Sequence, residues 1–252
     1  MQILTDIMGS LKADSPVQEV RKGLFWTAVV SRRCGLASTM MGEFCPDEHE
    51  DNNNFRPPSE MTAMALAQLS LSEDISEASL GLAAINSLVE TDISAATEIN
   101  AGDILLEHGK RKNVSVIGHF PFADDLRKIA KNLWVIERRQ RPGDYPEGDA
   151  QKYLPQSDVI AISSTTLINH TLTAILTLCP SESTKMLLGP TTPMTPVLFE
   201  YGIDIISGSV VTDTVTALRY ISEGANFRQL KRTGSVRLIT LIKNSTLKRK
   251  RV

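Results

Sequence analysis

Five short apolar runs punctuate the second half of the chain, and each closes into a loop of small, polar, glycine or proline residues. The runs are VSVIG (114–118), LWVIE (133–137), DVIAI (158–162), KMLLG (185–189) and DIISG (204–208). A strand covered by helices on both faces is apolar at successive positions rather than at alternate ones. Strand, loop and helix in repetition is the pattern of a parallel α/β sheet. Ligands of such sheets bind outside the carboxyl ends of the strands. The loops that follow the five runs are therefore where chemistry is expected.

The first hundred residues read differently. Residues 3–13 have the spacing of an amphipathic helix. Residues 20–30 (VRKGLFWTAVV) and 34–41 (CGLASTMM), separated by Ser31, Arg32 and Arg33, predict an antiparallel hairpin. EFCPDEHEDNNNFRPPSE (43–60) is polar, acidic and proline-containing, the composition of an exposed loop. From Met61 the pattern turns helical, with Ser59 as N-cap and Glu60 in the first turn. A second helix is expected over 76–90, capped by Ser76, where Ser79, Gly81 and Ala83 are small enough for close packing. Residues 91–113 read as a connector. Later, DTVTALRYISEG (213–224) predicts a helix capped by Asp213. The place of VRLITLI (236–242) stays open. The expected architecture is α/β: a small α+β domain over 1–100 and a parallel α/β domain over 101–252.

Composition narrows the functional classes. Of 252 residues, 42% are hydrophobic and 22% charged, as in a water-soluble globular protein. A net charge of -2 gives no electrostatic case for nucleic acid as a partner. No apolar run reaches the roughly 18–20 residues that cross a bilayer. The opening MQILTDIMGSLKADSP lacks the basic and apolar regions of a secretory signal. The three cysteines, Cys34, Cys45 and Cys179, are odd in number and widely spaced, which fits a reducing cytoplasm better than a disulfide framework. The basic terminus LKRKRV reads as a solvated tail.

Each strand-end loop offers candidates. Gly118 and His119 follow the first run. Only the first glycine of a dinucleotide fingerprint is present there, and His119 is either a ligand-contacting or metal-coordinating imidazole or a cap on local backbone. Glu137 lies 19 residues after Gly118 (137 − 118), near the spacing of a ribose-binding acid, while a surface pair with Arg138 or Arg139 is the competing reading. In RRQRPGDYPEGDA (138–150), Arg138, Arg139 and Arg141 can recognise carboxylate or phosphate, and Asp144 and Tyr145 follow a tight Pro-Gly turn. SSTTLIN (163–169) puts four hydroxyls and an amide at a helix start, a setting for an anion or polar ligand, with Thr165, Thr166 and Asn169 the strongest candidates. Plain capping accounts for one of them; His170 reads as an ordinary helix histidine. GPTTPMTP (189–196) is a rigid loop with Gly189, Pro190, Thr191 and Thr192 as candidates, or simply structural punctuation.

Taken together, GHFPF, RPGDYP, SSTTLIN, GPTTPMTPVLFEYGIDIISG and the upstream GLAAINS resemble the heavy-metal chelation family, over about residues 15–225. The resemblance implies an enolase-N-terminal-like domain followed by a Rossmann-like domain, a site between them, and a role in metal chelation or cobalamin-type metabolism. It adds Asn86, from GLAAINS, to the expected lining. The extra arginines of RRQRPGDYP and His170 after Asn169 depart from the pattern. Cys45, Asp47, Glu48 and His49 can all bind metal, but their loop reads as solvated surface.

Two functions compete. The first is binding of a divalent transition metal (Co, Ni, Zn or Fe), bare or as an anionic chelate, with His119 as metal ligand and Glu137, joined by Cys34, as further donors in a mixed N/O/S set. No His or Cys cluster shows metal-ligand spacing, so such a site must be assembled from distant residues. The second is an enzyme using a nucleotide-like cofactor, S-adenosylmethionine or NAD, supported by Glu137 and opposed by the missing glycines. A non-catalytic assembly protein is a third class, and a homodimer is expected only on general grounds.

Overall fold

A computed structural model of the chain describes residues 1–42, 56–92 and 96–243. Its helices are α1 (Gln2–Gly9), α2 (Ala63–Ala67), α3 (Ile75–Leu88), α4 (Ala101–Gly109), α5 (Ala123–Ile129), α6 (Ala150–Tyr153), α7 (Thr165–Ile168), α8 (Leu172–Leu178), α9 (Val197–Glu200), α10 (Thr214–Ser222) and α11 (Phe227–Arg232). Its strands are β1 (Glu19–Lys22), β2 (Trp26–Val30), β3 (Cys34–Ser38), β4 (Asn113–Ile117), β5 (Asn132–Ile136), β6 (Val159–Ser163), β7 (Thr184–Leu188), β8 (Ile205–Val211) and β9 (Val236–Ile242). They form two compact units. One takes Met1–Glu90, Leu167–Asn169 and Ser209–Arg237; the other takes Thr91–Thr166, His170–Gly208 and Leu238–Val252.

The first unit holds an antiparallel sheet in the order β1-β2-β3. The run 20–30, expected as one strand of a hairpin, is two strands. Gly23 turns the chain where α10 passes: a side chain there would overlap the Ile221 carbonyl, and Gly23 N–H bonds back to Trp26 O at 2.9 Å. Both faces of β2 and β3 are buried. Trp26, Ala28, Cys34 and Leu36 pack on Ala217, Leu218 and Ile221 of α10 and Leu230 of α11. On the other face Gly35 lies against the α3 backbone, where a side chain would collide with Ala83 and Ser87. Ser79, Gly81 and Ala83 are fully buried, and Gly81 sits on the backbone of Ser70.

The helix starts are shifted from expectation. Thr62, not Ser59, caps α2 by accepting from Ala65 N at 3.2 Å; Ser59 lies in a single 3-10 turn, Pro58–Glu60. Asp74, not Ser76, caps α3 and accepts from both Ser76 N and Glu77 N. A carboxylate acceptor at the positive end of a helix outcompetes a hydroxyl two residues inside it. Asp213 caps α10 as expected. The connector 91–113 contains α4, whose cap Asn100 accepts from Gly102 N at 3.0 Å.

The second unit holds a six-stranded sheet in the order β5-β4-β6-β7-β8-β9, and the five expected runs are β4 to β8, with parallel pairing from β5 across to β8. VRLITLI is β9, at the edge beside β8. Val114, Val116, Ala161, Met186, Leu188 and Ile205 form the core with Ile104 and Leu105 of α4 and Leu126 of α5. From β4 the chain builds β5 on one side and then β6 on the other. The order reverses between β4 and β6, and in open α/β sheets the crevice at such a reversal takes the ligand. Among the described residues no helix is long and apolar enough to cross a membrane.

Candidate functional site

The loops leaving β4, β6 and β7 meet at the carboxyl rim of the six-stranded sheet. Gly118 has φ +100, a conformation L side chains rarely adopt, and a Cβ there would come within 3.0 Å of Ser163 Cβ. Gly189, with φ +127, is as close to Ser164, whose hydroxyl would stand 2.8 Å from an added Cβ. Both glycines therefore let neighbouring loops touch. Between them Ser163 Oγ and Thr165 Oγ1 share a hydrogen bond at 2.8 Å.

His119 follows Gly118, and its partner arrives from the β5 side. After β5 the chain turns back as a strap over 138–147. Glu137 Oε1 accepts from Arg138 N at 2.8 Å and Arg139 N at 3.3 Å, which starts the turn. Arg138 closes the strap on Glu147 through two hydrogen bonds of 2.7 and 3.0 Å. This pairing holds the Arg138 guanidinium above its ordinary pKa. Gly143 adopts φ +91 at the bend. Tyr145 then runs beside β5, its N–H donating to Val135 O (2.8 Å) and its carbonyl accepting from Glu137 N (3.0 Å). Its ring meets Tyr153 edge-on at 4.6 Å, and Tyr153 stacks on Trp134 at 4.9 Å.

This anchoring delivers Asp144. Its Oδ2 accepts from Arg141 N at 2.7 Å and lies 2.9 Å from His119 Nε2. The Asp144 side chain is only 5% exposed and that of His119 22%. The His119–Asp144 contact has the distance of an ion pair but not the alignment of a hydrogen bond: His119 Nε2 is buried and has no hydrogen-bond partner among the described residues. A buried polar atom without a hydrogen bond is uncommon in native proteins and asks for a missing partner.

The other candidates are less open. Thr166 Oγ1 donates to Ser163 O at 2.6 Å, and Thr192 Oγ1 bridges Gly189 O and Ser207 O at 2.8 and 2.9 Å, so both hydroxyls brace backbone. Thr191 is buried, and Pro190 beside it is half-buried. Asn169 and Asn86 belong to the first unit, where Asn86 Nδ2 donates to Leu36 O at 2.7 Å. Cys34 lies in that unit's core, its thiol pushed up to about 12 by burial and the charge of Glu19. Among the described residues no group of three or more His, Cys, Asp or Glu converges as a metal site. The metal-capable Cys45, Asp47, Glu48 and His49 lie outside the described residues, as does the basic terminus. Sequence reasoning passed over Ser163, Trp134 and Tyr153. The Pro-Gly-Asp-Tyr turn after Glu137 is the local signal that the loop folds back, but the aromatic clasp that holds it involves residues far apart along the chain.

Comparison with known proteins completes the picture. Two family models, DUF4213 over residues 5–89 and DUF364 over residues 100–240, match the chain, and both carry the description "Putative heavy-metal chelation". An uncharacterized protein of Methanocaldococcus jannaschii is 31% identical over 196 residues, covering 74% of this chain and 73% of that protein. A DUF364-family crystal structure of unknown function from Desulfitobacterium hafniense superimposes with TM-score 0.81 at 25% identity, covering 96% of this chain and 98% of that one. One from Pyrococcus horikoshii, also of unknown function, gives TM-score 0.79 with the same coverage at 21% identity, a likeness of fold.

Proposed function

The chain belongs to the heavy-metal chelation family, and on that premise we propose that it binds a divalent transition-metal ion at the carboxyl rim of its six-stranded sheet, through His119 Nε2 and Asp144 Oδ2. The observation that carries this reading is the buried imidazole nitrogen, without a hydrogen bond, 2.9 Å from a nearly buried carboxylate oxygen. The donor chemistry fits the group. A neutral imidazole and a carboxylate suit Co, Ni, Zn or Fe. Gly118, the residue before His119, approaches Ser163 so closely that an added Cβ would lie 3.0 Å from Ser163 Cβ. Arg141 N, hydrogen-bonded to Asp144, acts as the support that orients a metal-binding carboxylate. Glu137, the acid expected on a ribose, has Oε1 engaged by two backbone N–H groups, which weighs against the nucleotide reading.

A thermal-shift panel tests this, with Co, Ni, Zn and Fe(II) salts in one arm and S-adenosylmethionine and NAD in the other. A ligand of the folded state at a hundred times its Kd stabilises by about 2.7 kcal/mol, an easily measured shift. A metal-induced shift that disappears in His119→Ala is the expected result. A shift with S-adenosylmethionine or NAD and none with metal overturns the proposal.

A further inference from the structure

The separation of the two donors carries information about the state in which the metal arrives. Two donor atoms each about 2.1 Å from one ion stand about 3.0 Å apart at a right angle, and about 3.4 Å apart at the tetrahedral angle. His119 Nε2 and Asp144 Oδ2 stand 2.9 Å apart, the spacing of neighbouring positions on an octahedral ion. The pair is not free to open. Asp144 Oδ2 is tied to Arg141 N, the Tyr145 backbone is tied on both sides to β5, and the Arg138–Glu147 pair closes the neck of the strap. The described residues bring no third His, Cys, Asp or Glu to the pair. With two protein donors at adjacent positions, the other four positions of an octahedral ion are left to groups that come with the metal.

Resting on the metal reading above, we infer that this site takes a six-coordinate metal already held by a multidentate chelator, through two adjacent vacant positions that His119 and Asp144 fill. The ligand class is then a partly coordinated metal chelate rather than a bare ion. Octahedral Co, Ni or Fe suits such a site better than zinc, whose protein sites are usually tetrahedral.

Nickel offers three probes that differ in open positions. The aqua ion leaves every position exchangeable, the nitrilotriacetate complex leaves two adjacent ones, and the ethylenediaminetetraacetate complex leaves none. Calorimetric titration of the full chain, without a polyhistidine tag, compares them. The expected order is nickel–nitrilotriacetate binding at least about tenfold tighter than aqua nickel, with no binding of the fully chelated complex. His119→Ala and Asp144→Asn should each weaken nickel–nitrilotriacetate binding by about 30-fold or more while the thermal unfolding midpoint of the apo protein stays in place. Aqua nickel binding through His119, with the nitrilotriacetate complex bound more weakly, keeps the metal site but overturns the chelate inference. Equal binding of the fully chelated complex overturns it too, because recognition would then bypass the metal. Binding of no nickel species overturns the metal reading itself.

Discussion

The two ends of the six-stranded sheet treat their polar groups in opposite ways. At the amino end the polar groups are answered. The Lys185 ammonium, 6% exposed, donates to Pro180 O, Ser183 O and Ser183 Oγ at 2.8, 2.8 and 3.2 Å. Ser115 Oγ meets Ser157 Oγ at 2.7 Å, and Asp158 accepts from Asn113 N at 2.8 Å. At the carboxyl end a buried imidazole nitrogen lacks a hydrogen bond. Satisfied polar groups stabilise a fold, whereas a buried polar group without a hydrogen bond asks for a missing partner. The contrast separates a braced edge from an unbraced one within a single sheet.

Substitutions at the two ends should therefore divide cleanly. The largest effect is expected from Lys185→Met, which takes the ammonium donor away from the buried Ser183 carbonyl and from its partners Ser183 Oγ and Pro180 O. Urea unfolding should show a loss of about 2–4 kcal/mol with metal affinity unchanged. Asp144→Asn should do the reverse, weakening nickel binding by about 30-fold or more, near 2 kcal/mol, with an unfolding midpoint close to that of the parent chain. Equal stability losses in the two variants would erase the contrast. Gly118→Ala sits between them: forcing a side chain to φ +100 against Ser163 should cost about 1–2 kcal/mol of stability and also weaken metal binding, because His119 is the next residue.

The smallest effect concerns Cys179, beside the amino-end lysine. Burial pushes its thiol up to about 11, against the pull of the Lys185 ammonium in the other direction. The contribution of the neutral buried thiol is complete below the ordinary thiol pKa of 9.0 and is lost as pH rises through about 11. Alkylation of Cys179 at pH 8, followed by peptide mass spectrometry, should be slower than that of a free thiol, and slower still in Lys185→Met.

The parallel strands were legible because burial on both faces leaves an unbroken apolar run, and VSVIG, DVIAI and KMLLG are such runs. The same rule explains what misled. WTAVV and CGLAS are also apolar throughout, because α10 and α11 cover the face of β2 and β3 that α3 leaves open. Nothing local to residues 214–232 says which sheet they cover. The break at Gly23 was equally hidden, since its cause is the Ile221 carbonyl. Helix α4 did carry a signal, Asn100 with Asp103 in the first turn, but its polar surroundings resemble a loop. At the site, His119 and Asp144 were each named from their loops. Their meeting was not legible, because it depends on Tyr145 lying beside β5 and on a ring contact with Tyr153.

The return of Tyr145 along β5 has a consequence for solubility. β5 is the outermost strand on its side of the sheet, and an outermost strand exposes a row of unpaired amides to any passing chain, a template for aggregation. Tyr145 occupies the outward groups of Val135 and Glu137, so a foreign strand finds that stretch already taken. The segment that carries Asp144 into place thus also covers part of the edge on which another strand could pair.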